Sequence, residues 1–169
     1  MLRTDAGKFV GLGARIDIDD ALSPSLQRVA QLGYRPVLEA IGLQVVAIAM
    51  RSFNEPAMRA APWAPLKPET IAENIRLGKS TAILKRDVVL ARAWRVTDLQ
   101  DRSVTAGTDR PYASFHQTGT RRGLPARPML PFLGATAESA VLVPWAREKL
   151  ERIGQLKLES LLRGASGQQ

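Results

Sequence analysis

Phe9 to Asp19 alternates polar and apolar residues, with Ile16 and Ile18 set between Arg15, Asp17 and Asp19. A period of two is the signature of a half-buried strand. Gly11 and Gly13 weaken its first half or mark a bulge. Ser23-Pro24 then predicts a short helix, with Ser23 as N-cap, Pro24 in the first position, Leu26, Val29 and Ala30 on the apolar side and Gly33 at the end. The strongest helical pattern opens at Arg35-Pro36 and runs to about Asn54. Leu38, Ile41, Val45 and Ile48 make one apolar face, and Leu43, Val46, Met50 and Phe53 make a second. A helix apolar on nearly all sides needs cover on nearly all sides. It either occupies the centre of the core or gives a face to another subunit.

The next stretch, Pro56 to Lys79, carries Pro56, Pro62, Pro65 and Pro68 around Trp63. Four prolines forbid continuous helix. An extended loop stapled by Trp63 and Leu66 is expected, with a short helix from Glu69 to about Leu77 closed by Gly78. From Thr81 to Thr108 the period changes. Ala82-Ile83-Leu84 is a short apolar run, Val88 to Val96 is either strand or helical turn, Asp98 to Arg102 is turn-like, and Ser103 to Gly107 is a strand. This region predicts an antiparallel sheet of about three or four strands. Helix returns with a short candidate at Ala135–Leu142 and a longer one from Pro144, where Ala146, Leu150, Ile153 and Leu161 share a stripe. Gly154 costs that helix about 1 kcal/mol relative to alanine. Gly164 to Gln169 is expected to fray.

The fold class that follows is α+β: a small antiparallel sheet packed against a long central helix and a C-terminal helix, with long proline-rich loops. A chain of 169 residues with 45% hydrophobic residues fits one domain, with a core over residues 9–162, and can bury a core without covalent staples. Cysteine is absent, which excludes disulfides and thiolate metal sites and fits a protein made in a reducing cytoplasm. The start of the chain has no apolar signal region. The longest apolar stretch, Val37 to Met50, is too short for a membrane span and is broken by Glu39 and Gln44, so no membrane partner is expected. The net charge of +8 points to a polyanion or an acidic protein surface as partner, or to solvated and paired arginines.

Catalytic chemistry finds little support. His116 is the only imidazole, and Ser114 and Thr118 lie near it in sequence, but a nucleophile needs a base and an orienting acid beside it. No G-x-S-x-G, no phosphate-binding glycine loop and no paired histidines occur. Asp17, Asp19 and Asp20 are the only close carboxylates, too few for a calcium loop. Neither a cofactor nor a metal is expected, and a small hydrolase centred on His116 is the weakest reading. His116 reads instead as a turn-fixing residue or a polar contact between subunits. Arg110, Arg121, Arg122 and Arg127 gather around the glycine- and proline-rich segment Tyr112–Arg127. An arginine loop grips phosphate, but no DNA-binding signature and few aromatics accompany it. Arginine equally favours carboxylates at protein interfaces. A basic DNA-binding accessory protein stays as the alternative to a protein that binds protein.

The order of motifs carries a resemblance. An N-terminal strand and two helices precede Trp63-Ala64-Pro65-Leu66 and Thr70; Ile83-Leu84, Val88–Trp94 and a strand ending in Gly107 follow; then come Tyr112-Ala113-x-x-His116-Gln117-x-Gly119, Pro125-Ala126-Arg127-Pro128-Met129-Leu130 and a closing helix. Over Phe9 to Leu162 this resembles the phage virion morphogenesis family, the tail-completion proteins of Mu-like and P2-like phages. That family often has a threonine-glycine or serine-glycine turn after the Ile-Leu pair. Here Lys85-Arg86-Asp87 stands in its place, a departure that bears on the hairpin geometry there. The resemblance implies a non-enzymatic assembly protein that completes the tail or joins it to the DNA-filled head. The partners it implies are further copies in a six-fold ring, other neck, connector or tail proteins, and genomic DNA. It places the protein in the virion, with the host cytoplasm as its site of assembly. Ring closure needs two different patches per subunit. The loops Pro56–Lys79 and Gly119–Pro131 are the expected patches, with Trp63, Leu66, Tyr112, His116, Gln117, Gly119, Arg121, Arg122 and Arg127 as interface candidates. Tyr112 and Phe115 are expected to anchor the corner in the core, His116 and Gln117 to tie its turn, and Gly119–Arg127 to project towards a neighbour.

Overall fold

The computed structural model describes residues 12–17, 33–134 and 139–166. The predicted helix at Ser23–Gly33 falls almost wholly outside them. Eleven elements follow one another: β1 (Leu12–Asp17), α1 (Arg35–Arg51), a 3-10 turn (Pro56–Met58), α2 (Pro68–Arg76), α3 (Val89–Arg92), β2 (Trp94–Leu99), β3 (Ser103–Thr108), α4 (Ala113–Thr118), β4 (Phe132–Leu133), β5 (Val141–Leu142) and α5 (Pro144–Ser166). The fold class is α+β, as the patterning predicts.

β1, β3 and β2 form an antiparallel sheet in that order, with β3 central. Only two of its strands come from the middle of the chain; the third is the alternating N-terminal stretch, paired along β3 from Leu12↔Thr108 to Asp17↔Ser103. Ala82–Leu84 is turn rather than strand, so it adds no fourth strand. The β2–β3 hairpin closes at Gln100, whose N–H donates to the Ser103 carbonyl. The register slips between Val96 and Asp98. Thr97, the extra residue, donates its hydroxyl to the Thr105 carbonyl at 3.2 Å.

α1 lies across the sheet and α5 lies against α1. Pro36 suits the first turn of α1, where a missing N–H costs nothing. Its buried positions Val37, Leu38, Ile41, Val45, Ile48 and Ala49 recur at helical spacing. Gly42 marks the crossing with the sheet: a Cβ there would stand 2.5 Å from Val104 Cγ2 and 3.1 Å from Val96 Cγ2. Gly154 of α5 rests over Ile41 and Val37 from the other side. Covered by sheet and helix, α1 is the central element of the core. Its second face is mixed: Phe53 is buried, but Leu43 and Met50 stay exposed.

One local expectation needs correction. A helix over Ala135–Leu142 is not what the described part of that segment forms: Val141–Leu142 pairs with Phe132–Leu133 as a short antiparallel ribbon. Pro144 forces the break, because the residue immediately before a proline is held extended and the new helix begins at the proline. The closing helix runs from Pro144 to Ser166, and the rest of the tail expected to fray from Gly164 lies outside the described residues.

Val88–Val96 resolves into both of its alternatives, one helical turn (α3) and then a strand (β2). The Lys85-Arg86-Asp87 link is bracketed by Leu84 (φ 58) and Val88 (φ 61), both left-handed. A turn normally served by glycine is made here by side-chain-bearing residues, at about 1–2 kcal/mol each.

Candidate functional site

α4 is only six residues long, and Ala113 and Gln117, four apart, are its buried positions. The opposite side must then face outward. Tyr112 is 41% exposed and Phe115 55%, so neither anchors the corner in the core as expected. The anchor is Gln117. Its Oε1 accepts the N–H groups of Met129 (2.9 Å) and Leu130 (3.0 Å). Its Nε2 donates to the carbonyls of Leu130 (3.4 Å) and Phe132 (3.2 Å). One buried amide thereby replaces a missing strand partner for the returning segment 127–132.

Between these two passes the chain reverses through Gly119 (φ 76) and Gly123 (φ 90). A Cβ on Gly119 would meet the Leu124 carbonyl oxygen at 2.9 Å, so both space and backbone conformation call for glycine. The Thr120 N–H donates to the Leu124 carbonyl, and the Arg127 N–H to the His116 carbonyl. Arg121 and Arg122 sit at the tip, exposed, with no ion-pair partner among the described residues.

Arg127 does not project outward. It is 5% exposed, and its guanidinium donates to the carbonyls of Ala64 (Nε, 2.9 Å) and Pro65 (Nη2, 3.0 Å). Beside it, Trp63 Nε1 donates to the Pro128 carbonyl at 2.9 Å. Trp63 is itself a core residue, edge-on to Phe53 at 5.5 Å and capped by the Arg59 guanidinium at 4.2 Å. The two proline-rich loops expected to offer separate patches are therefore bolted together. Prolines explain the arrangement: an extended segment rich in proline has few N–H groups but a full set of carbonyls, and arginine and tryptophan supply donors.

The joined loops line one side of an open groove of about 620 Å³, and α2, Leu84 and the Arg86–Leu90 segment line the other. Leu66, Tyr112, His116, Arg122 and Arg127 all reach it. Trp63, Gln117, Gly119 and Arg121 are not among its lining residues. His116 is half-buried, and its Nδ1 is buried without a hydrogen-bond partner among the described residues. Burial, helped by the nearby Arg127 charge, holds its pKa below the ordinary imidazole value. A neutral ring at pH 7 follows. No group of three or more metal-ligating side chains occurs among the described residues. No helix there is long and apolar enough to cross a membrane.

Sequence reading missed the opposite wall of the groove, Arg86 and Val89, because nothing in their spacing ties them to Tyr112–Arg127. It also missed the polarity of α2. Ile71 is 36% and Ile75 66% exposed, whereas Asn74 is 4% exposed and donates to the Ser80 carbonyl. The signal was present: two isoleucines four apart share one helix face.

A family model described as the phage virion morphogenesis family matches residues 16–143, more than half of the chain. No curated protein and no solved structure gives a significant match.

Proposed function

The chain belongs to the phage virion morphogenesis family and so has a structural part in building the phage particle; from that premise we propose that it works at the tail end or head–tail junction, as a tail-completion or neck-ring protein. It acts without catalysis, by closing with copies of itself into a ring, six-fold to match the tail, and by contacting neighbouring neck, connector or tail proteins. The observation that supports an assembly role most directly is the inverted polarity of α2. Its apolar pair Ile71 and Ile75 faces outward, with Leu77 exposed just beyond, while a polar asparagine takes the inner position. Clustered apolar side chains turned to solvent are the usual mark of a surface awaiting a partner.

The unpaired Arg121 and Arg122 at the corner's tip favour a second, compatible reading, contact with packaged DNA. Such contact is recognised by affinity that falls steeply with salt.

Purified particles analysed by mass spectrometry should contain the chain, and an electron-microscopy reconstruction should place it at the tail end or neck. Ile71→Glu with Ile75→Glu should fold normally, because both side chains are already exposed, yet fail to enter particles. Absence of the chain from wild-type particles, or normal incorporation of the double variant, would count decisively against this role for α2.

A further inference from the structure

The groove beside Tyr112 combines two properties that are rarely met on one surface. Its lining includes an apolar set, half-buried Leu66, Leu84 and Val88 and the exposed faces of Tyr112 and Val89, among polar side chains. Its charged side chains are mostly cations. Lys67 and Arg122 have no ion-pair partner among the described residues, and Arg86 stands 3.9 Å from its nearest carboxylate, Asp87. Asp87, the one acid in the groove, is held by Lys79 at 2.6 Å, and that bond keeps its pKa below the usual aspartate value. Asp87 and Glu73 offset part of the Arg86 charge, and the rim still carries an excess of positive charge over apolar side chains.

We propose that this groove receives a segment of another protein that presents apolar side chains flanked by aspartate or glutamate. The identification of that protein as a component of the same particle rests on the assembly role above; the chemistry of the groove does not. Charge complementarity selects carboxylates, because three cations converge on the opening. The apolar interior selects against duplex DNA, whose phosphates would reach the rim but leave the leucines and valines wet. A volume near 620 Å³ lies within the range of sites that take a short segment or a compact ligand. Prior construction favours binding as well: the Gln117, Arg127 and Trp63 hydrogen bonds fix one wall before any partner arrives, so little ordering cost remains there.

The test uses the full-length chain and a fluorescein-labelled peptide alternating leucine with aspartate, followed by anisotropy. Counterparts alternating leucine with lysine and serine with aspartate, and a short DNA duplex, serve as comparisons. The leucine–aspartate peptide should bind, and the others should bind at least roughly tenfold more weakly. Arg86→Glu with Arg122→Glu should weaken binding by a similar factor, with an unchanged circular dichroism spectrum since both side chains are exposed. Val89→Asp should do the same through the apolar lining. His116 is the only histidine, so its ring resonances should shift on binding and report that the groove is the place. No binding of the leucine–aspartate peptide overturns the proposal, even if the chain is found in particles. So does duplex binding that shifts the His116 resonances in the same way, equal or tighter binding of the serine–aspartate peptide, or binding that the variants do not disturb.

Discussion

Gln117 shows how much one side chain can hold. An amide offers two donors and an acceptor with two lone pairs, and here all of its bonds go to backbone groups of residues 129–132. Gln117→Leu keeps the volume and strands buried N–H and C=O groups, at a cost of roughly 3 kcal/mol. Urea unfolding should show a lowered midpoint with an unchanged slope. A midpoint within error of wild type would mean that the returning segment is held by something else. In the Y-A-x-x-H-Q-x-G run the sequence marks this residue without revealing its role, because the groups it satisfies lie a dozen positions further on. The same holds for Arg127, whose residue type speaks of an interface but whose partners are carbonyls sixty-odd residues away, so its burial was decided by tertiary contacts that no local pattern encodes. Trp63 is buried and staples its loop as expected, but its partner, the Pro128 carbonyl, lies equally far along the chain. Tyr112 and Phe115 err in the opposite direction: aromatic character argued for the core, whereas a helix of six residues has room for only two inward positions.

At the scale of elements, α1 was legible because it carries a strong period over many residues, whereas β2 was not, since Val88–Val96 suits a strand and a helical turn alike. The α1 helix also shows why glycine deserves two readings. Gly42 and Gly154 both face an interface with α1, yet they predict opposite outcomes. A methyl at Gly42 would overlap the stiff, β-branched Val104, and the sheet would have to move away. A methyl at Gly154 would meet Ile41 Cδ1 at 3.5 Å and Val37 Cγ1 at 3.8 Å, ordinary contact distances, and would remove a helix penalty of about 1 kcal/mol. Thermal unfolding should therefore place Gly154→Ala about 3 °C above wild type and Gly42→Ala below it. A rise for both, or a fall for both, would contradict the packing described. The short β4–β5 ribbon was not legible, since two residues are too few for any period to be read.

On the scale of the whole molecule, the net charge of +8 acquires a location. Several arginines are occupied: Arg127 by carbonyls, Arg51 by Glu55, Arg76 by Glu73 and Arg95 by Asp109. Arg121 and Arg122 are the adjacent pair left open at a loop tip. Reversing both, Arg121→Glu with Arg122→Glu, should leave the unfolding midpoint unchanged and reduce incorporation into particles; normal incorporation would remove this tip from the contact surface. The bolt between the two proline-rich loops has a consequence in time as well as space. Trp63 and Pro128 are 65 positions apart, so one wall of the groove does not exist until Pro128 has been made and that long loop has closed. A chain still being synthesised can build its α1–hairpin core earlier, from nearer neighbours. Its docking surface waits for that distant closure, so a subunit becomes competent to join the growing particle only once the two loops have met.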